Sequence, residues 1–158
     1  MFNIGDRVAH PLHGAGTISE IEHKRIDGID RDYYVLRITK GDIRVMVPVD
    51  SCEAVGLRAV ICPEEVEELF RQFPALELMD DASWNKRYRD NMGRIRSGDL
   101  LEVASVIKSL LRREAERGLS TGERKMLSSA KQILLSELVL SLNISYEEAD
   151  AKVCLAFQ

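Results

Sequence analysis

The sequence predicts an α+β protein: a small N-terminal β-barrel followed by a C-terminal bundle of about five α-helices. Two patterns carry this expectation. Up to Leu57 the chain consists of short β-branched and aromatic runs divided by turn residues, and from Cys62 onward apolar residues recur at helical spacing behind recognisable caps. At 158 residues, 45% hydrophobic and 30% charged, the chain is long enough to bury a sizeable core in one or two small domains.

Arg7 to His10 reads as a short strand ended by Pro11, and Thr17 to Glu22 alternates apolar and polar residues with the period of two of a half-buried strand. Tyr33 to Thr39 and Ile43 to Val47 are β-rich runs separated by Lys40-Gly41-Asp42, a tight hairpin turn. Pro48 has no N–H to donate and stops that ladder, and a fifth strand is expected near Ala54 to Leu57. Short strands at regular spacing predict closure into a barrel, which removes exposed edges. Pro63 opens the first helix, with Glu64, Glu65, Glu67 and Glu68 at its positive end and Val66, Leu69, Phe70 and Phe73 on one face. A helix from about Ser83 to Arg96 ends at Ser97-Gly98. Asp99 caps the next, which Gly118 ends; Ser120-x-x-Glu123 and Ser145-x-x-Glu148 are capping boxes for a long helix to about Leu142 and a short final one. The expected domains are residues 1–58 and 62–158.

Composition narrows the function classes. No run approaches the roughly 18 to 20 apolar residues needed to span a bilayer. The start lacks the charged-then-apolar pattern of a signal peptide, so a cytoplasmic protein is expected. Cys52, Cys62 and Cys154 are odd in number and widely spaced, which argues against a disulfide framework or a zinc site. His10 and His13 flank a turn with no acidic or thiol ligand at metal spacing, and His23 stands apart from them. Gly14-x-Gly16 lacks the remainder of a nucleotide loop. The acidic run at Glu64 to Glu68 fits helix-dipole complementation better than paired-carboxylate chemistry. An enzyme is therefore not expected, nor a metal or cofactor.

The net charge of −4 hides an uneven distribution: residues 61–82 hold one basic and seven acidic residues, whereas residues 83–131 hold twelve basic and six acidic. A polyanion responds to such a local field, although a solvated helix surface accounts for the charges equally well. Within the basic stretch lies Ser83-Trp84-Asn85-Lys86-Arg87-Tyr88-Arg89, which contains the single Trp of the chain. On a helix Trp84 and Tyr88 are i, i+4 neighbours, as are Asn85 and Arg89. Two readings stay open: Trp84 and Tyr88 anchor the helical core, or they form an apolar wedge beside phosphate-binding cations. Position at the start of a helix, after Met79-Asp80-Asp81, gives Trp84 room to project.

Several motifs, in order, resemble the CarD family of bacterial RNA polymerase-binding transcription regulators. They are Gly5-Asp6-x-Val8-x-x-Pro11-x-His13-Gly14-Ala15, Tyr34-Val35-Leu36, Gly41-Asp42, Val47-Pro48, Val55-Gly56-x-Arg58, Trp84-x-x-Arg87-Tyr88, Ser97-Gly98-Asp99 and Arg117-Gly118-Leu119-Ser120-x-Gly122-Glu123-x-x-Met126-Leu127. The resemblance implies a Tudor/SH3-like barrel that binds a lobe of the polymerase β subunit, a barrel found also in transcription-repair coupling factors. It implies further a helical domain at the upstream edge of the promoter bubble, where a tryptophan matching Trp84 wedges at the minor groove. Lys86, Arg87, Arg89 and Arg124 would accompany it on the DNA, while Lys24, Met46 and Pro48 would face polymerase. Some members carry an arginine in place of Met46, so a charged contact there becomes apolar.

The expected function is thus a non-catalytic transcription factor, acting as a monomer, tethered to polymerase and through it associated with the nucleoid. It would stabilise the open complex through sequence-tolerant promoter contacts. The alternative is a protein–protein adaptor whose helical domain docks another protein. A free-standing nucleic-acid-binding barrel fits poorly, because residues 1–60 are nearly charge-balanced.

Overall fold

A computed structural model describes residues 1–41, 43–78 and 83–158. The N-terminal half contains β1 (Arg7–His10), β2 (Gly14–Ile26), β3 (Ile29–Ile38), β4 (Arg44–Pro48), a one-turn helix α1 (Cys52–Val55) and β5 (Arg58–Ala59). All pairings are antiparallel, in the order β4-β3-β2-β1-β5. Inward-facing Val8, Ile18, Tyr34, Leu36 and Val47 are each at most 2% exposed and form its core, with Cys52 and Leu57 closing one end. Fully burying such side chains stabilises by about 1.5–3 kcal/mol apiece.

Three details differ from the sequence expectation. β2 and β3 extend past Thr17–Glu22 and Tyr33–Thr39 into a projecting hairpin whose tip, Asp27-Gly28, has positive φ at both residues (53° and 76°). That is the twist-matched geometry a two-residue hairpin demands. The residues expected as a fifth strand, Ala54 to Leu57, instead complete α1 and its left-handed cap at Gly56 (φ 96°), and the strand follows at Arg58–Ala59 against Val8 and Ala9. Finally, no ladder joins β4 to β5 among the described residues, so the barrel-like sheet is not closed by hydrogen bonds as expected. Asp42 of the expected Lys40-Gly41-Asp42 turn and the segment Met79-Asp80-Asp81 lie outside the described residues.

The helical half follows the sequence closely: α2 (Pro63–Gln72), α3 (Trp84–Arg96), α4 (Leu100–Arg117), α5 (Thr121–Leu142) and α6 (Tyr146–Ala156). Asp99 accepts from the Leu101 N–H at 2.9 Å, and the Ser120/Glu123 and Ser145/Glu148 boxes both form. Such caps satisfy amides that a helix start leaves unbonded. Phe73, Val103, Ile107, Leu134 and Leu138, none exposed, centre a second core. The Phe73 ring lies between those of Phe70 and Phe157, at 4.6 and 4.8 Å. Helix α5 is the spine: it packs on α4 and α6 and also against β2. Among the described residues no helix is long and apolar enough to cross a membrane.

Candidate nucleic-acid interface

Ser83 caps α3 by accepting from the Lys86 N–H at 3.4 Å, which starts the helix with Trp84 in its first turn. The Trp84 and Tyr88 rings stack at 5.2 Å and 18°. They head a stripe that continues at helical spacing into buried Asn91 and Ile95. The stripe outruns the core, leaving Trp84 45% and Tyr88 38% exposed. One edge of the indole leans on the start of α5, where a Cβ added at Gly122 would lie 3.4 Å from Trp84 Cζ2. Trp84 is therefore neither a buried core anchor nor a free side chain: one edge of its ring lies against α5, its face is stacked on Tyr88, and the rest is exposed.

The flanking cations divide. Lys86 and Arg89 are both exposed on α3, and Lys86, two residues from Trp84, lies on the opposite flank of the helix, beside Leu76, Asp90, Arg94 and Glu102. Arg87 is not with them: its side chain is 16% exposed and faces the Glu123 carboxylate at 3.9 Å, which Arg113 also approaches at 3.3 Å. Glu123, 6% exposed, is tied to the capping box and is stabilised by cations in a poorly solvated setting. Arg87 therefore belongs to an internal ion cluster rather than to an outward phosphate-facing row. Arg124 is exposed, but at about 100° per residue it sits on the opposite flank of α5 from Gly122. It lines a groove of about 800 Å³ with Leu12, His13, Lys40, Tyr146 and Asp150. Lys125, exposed and three residues after Gly122, is the α5 cation on the Trp84 flank. Sequence reading passed it over, since only the Trp84–Gly122 contact reveals which flank matters.

On the sheet, the register Pro48↔Tyr33↔Glu22 and Met46↔Val35↔Glu20 sets Met46 and Pro48 on one face, and the parity of β2 adds Lys24 to it. Met46 is 38% exposed on edge strand β4 and Pro48 is half-buried. Lys24 is exposed in the hairpin with Glu22 at 3.6 Å, and Arg44 pairs with Glu20 and Glu22 beside them. The face is thus an apolar edge next to a mixed-charge hairpin. His23 stands exposed beside Asp32 (2.9 Å) and Asp30 (3.6 Å), and its bond to Asp32 raises its pKa. His10 is buried, its Nδ1 accepting from the Leu12 N–H at 3.0 Å. Among the described residues no three His, Cys, Asp or Glu side chains are grouped to hold a metal.

Two family models match the chain in succession, the CarD-like/TRCF RID domain over residues 2–61 and the CarD C-terminal domain over residues 68–154. The chain belongs to the CarD family. A similar protein from Bacillus subtilis (strain 168), described as "Putative transcription factor YdeB", is 32% identical over 148 residues, spanning 94% of this chain and 97% of the relative. The solution NMR structure of the 72-residue N-terminal domain of Myxococcus xanthus CarD also matches, with 30% identity and a TM-score of 0.34, covering 37% of this chain and 79% of that one. The RID domain is an RNA polymerase-interacting domain. The N-terminal half of this CarD-family protein is accordingly of a transcription-associated, polymerase-interacting type.

Proposed function

We propose that this protein binds the RNA polymerase β subunit through residues 1–58 and stabilises the open promoter complex through residues 62–158, as two units of one tethered factor. The observation that carries the reading is the half-exposed Trp84–Tyr88 stack in the first turns of α3, with exposed Lys86, Arg89 and Lys125 on the same two helices, α3 and α5. A flat aromatic edge supported from behind by Gly122 suits a wedge against the last stacked base pair at the upstream edge of the bubble, offsetting unstacking with new contacts. The cations would bind phosphates without reading sequence. Contacts available only on the melted fork lower the free energy of that state relative to the closed complex. Arg124 lies on the far flank of α5 and would reach a neighbouring phosphate rather than share the Trp84 contact.

Three phosphate contacts make binding weak by itself, with an expected loss of roughly 40-fold in affinity between 50 and 200 mM salt. Polymerase binding by the sheet face at Met46, Pro48 and Lys24 would supply the local concentration the helical half lacks. The adaptor alternative would have been favoured by a buried Trp84, and the 45% exposure argues for the wedge. The test is the lifetime of open complexes challenged with a competitor. At saturating occupancy of polymerase, the wild-type protein should lengthen it and Trp84→Ala should not. An equal lengthening by a folded Trp84→Ala protein would exclude the wedge.

A further inference from the structure

The proposed division of labour requires that tether and wedge hold a fixed relation, and α5 supplies the physical link. Its C-terminal half is bonded to the barrel-like sheet at several points. Ser136 Oγ, fully buried, accepts from the Ala15 N–H at 2.8 Å and donates to the Ile133 carbonyl at 3.0 Å. Gly14 passes so close that an added Cβ would lie 2.5 Å from the same oxygen. Arg7 of β1 donates to the Leu140 carbonyl at 2.5 Å and to Asn143 Oδ1 at 3.2 Å. Glu137 makes the strongest of these ties. Its carboxylate, 1% exposed, receives both arms of the Arg58 guanidinium, at 2.6 and 2.9 Å, and the Ile61 N–H at 3.0 Å. One acidic group on α5 thereby holds strand β5 and the chain that leads from it into α2. The other end of the same helix supports Trp84 at Gly122, about 22 Å away along the axis.

We propose that Arg58 and Glu137 are positioning residues: their paired fork fixes the direction in which α5 leaves the sheet, and so where the Trp84 edge stands relative to bound polymerase. The proposal rests on the function argued above. A planar guanidinium bonded twice to a planar carboxylate restricts angle as well as distance, which a single ammonium contact does not. A small angular change at Glu137 is multiplied along the helix before it reaches Trp84. Neither residue touches the DNA or polymerase surfaces assigned above.

The test uses the full chain with Glu137→Gln and Arg58→Lys, the second keeping the positive charge while losing the fork. Residual dipolar couplings report the relative orientation of the two halves. In the wild type one alignment tensor should fit both halves in the arrangement described here, and in each variant the halves should require different orientations. Polymerase affinity should remain, while the lengthening of open-complex lifetime is lost at saturation. Folded variants that keep the wild-type orientation and the full lifetime would overturn the proposal. Unfolding of both variants would overturn it too, since a joint that only sets orientation is removable without loss of either core. Trp84→Ala in the same lifetime assay separates the claims: if it has no effect, the wedge reading fails, whereas the couplings still decide the joint.

Discussion

Replacing Trp84 with alanine removes the outer end of the α3 stripe, and its energetic cost follows from how much of the ring is covered. At 45% exposure a little over half of the side chain is withdrawn from water, against Tyr88 and Gly122. A fully buried aromatic covers up to about 250 Å², so the covered part is roughly 140 Å², or about 3 kcal/mol at 25 cal/mol per Å². An unfolded chain already shields some of that area, which brings the expected loss to about 2 kcal/mol. Domains of this size are stable by about 5–15 kcal/mol, so the variant should fold, and any functional loss can be read as loss of contact. The assay is urea unfolding followed by far-UV circular dichroism, because the variant lacks the tryptophan signal. A midpoint shift worth about 2 kcal/mol at unchanged slope is expected. A loss above about 4 kcal/mol, the range of a deleted core aromatic, would make Trp84 a core anchor and refute the reasoning. So would no loss at all, which would deny the contact with α5.

Other consequences are equally specific. Phe73→Ala, at a fully buried ring between Phe70 and Phe157, should cost about 3–5 kcal/mol and lower the melting temperature far more than Trp84→Ala does. Lys86→Glu with Arg89→Glu, both exposed, should leave the melting temperature within a degree or two but weaken binding to promoter DNA and flatten its salt dependence, as measured by fluorescence anisotropy. Burial, with a smaller contribution from neighbouring His13, lowers the pKa of His10 from 6.5 to about 4. Between those values the unfolded chain binds the proton more readily, so stability should fall as the pH drops from 6.5 toward 4 and lose no more from this group below that. Urea midpoints across this range should show the slope, and His10→Asn should reduce it.

The helical half was legible because its starts are written locally. Asp99, Ser120 and Ser145 each offer a cap within three residues of the amides they satisfy, Pro63 fills a first helical position where no N–H is needed, and the helices begin there. The sheet was less so. Its projecting hairpin breaks the alternation rule because both faces meet water beyond Glu22; the Asp27-Gly28 step, a strong turn signal, is what could have revealed it. Gly56 marked a break correctly, but a left-handed glycine ends a helix as readily as it separates strands, so α1 was read as β. At the candidate site, residue types were visible and directions were not. Arg87 turns inward because Glu123, thirty-six positions away, needs cations, and Arg58 meets Glu137 across an even longer separation. Such long-range pairings leave no periodic trace in a single sequence. The family resemblance supplied the order of the motifs, and geometry then separated Lys86 and Arg89 from Arg87, and Lys125 from Arg124.

The central claim is that the Trp84 edge meets DNA at the upstream end of the melted region. A photo-crosslinking residue placed at position 84 in an assembled open complex tests it directly, since the crosslinked nucleotide can be mapped to the base. Crosslinks concentrated at the upstream fork, and absent from the closed complex, are expected. Crosslinks to protein alone, in a complex whose bubble has opened, would contradict the account and leave the helical half as an adaptor.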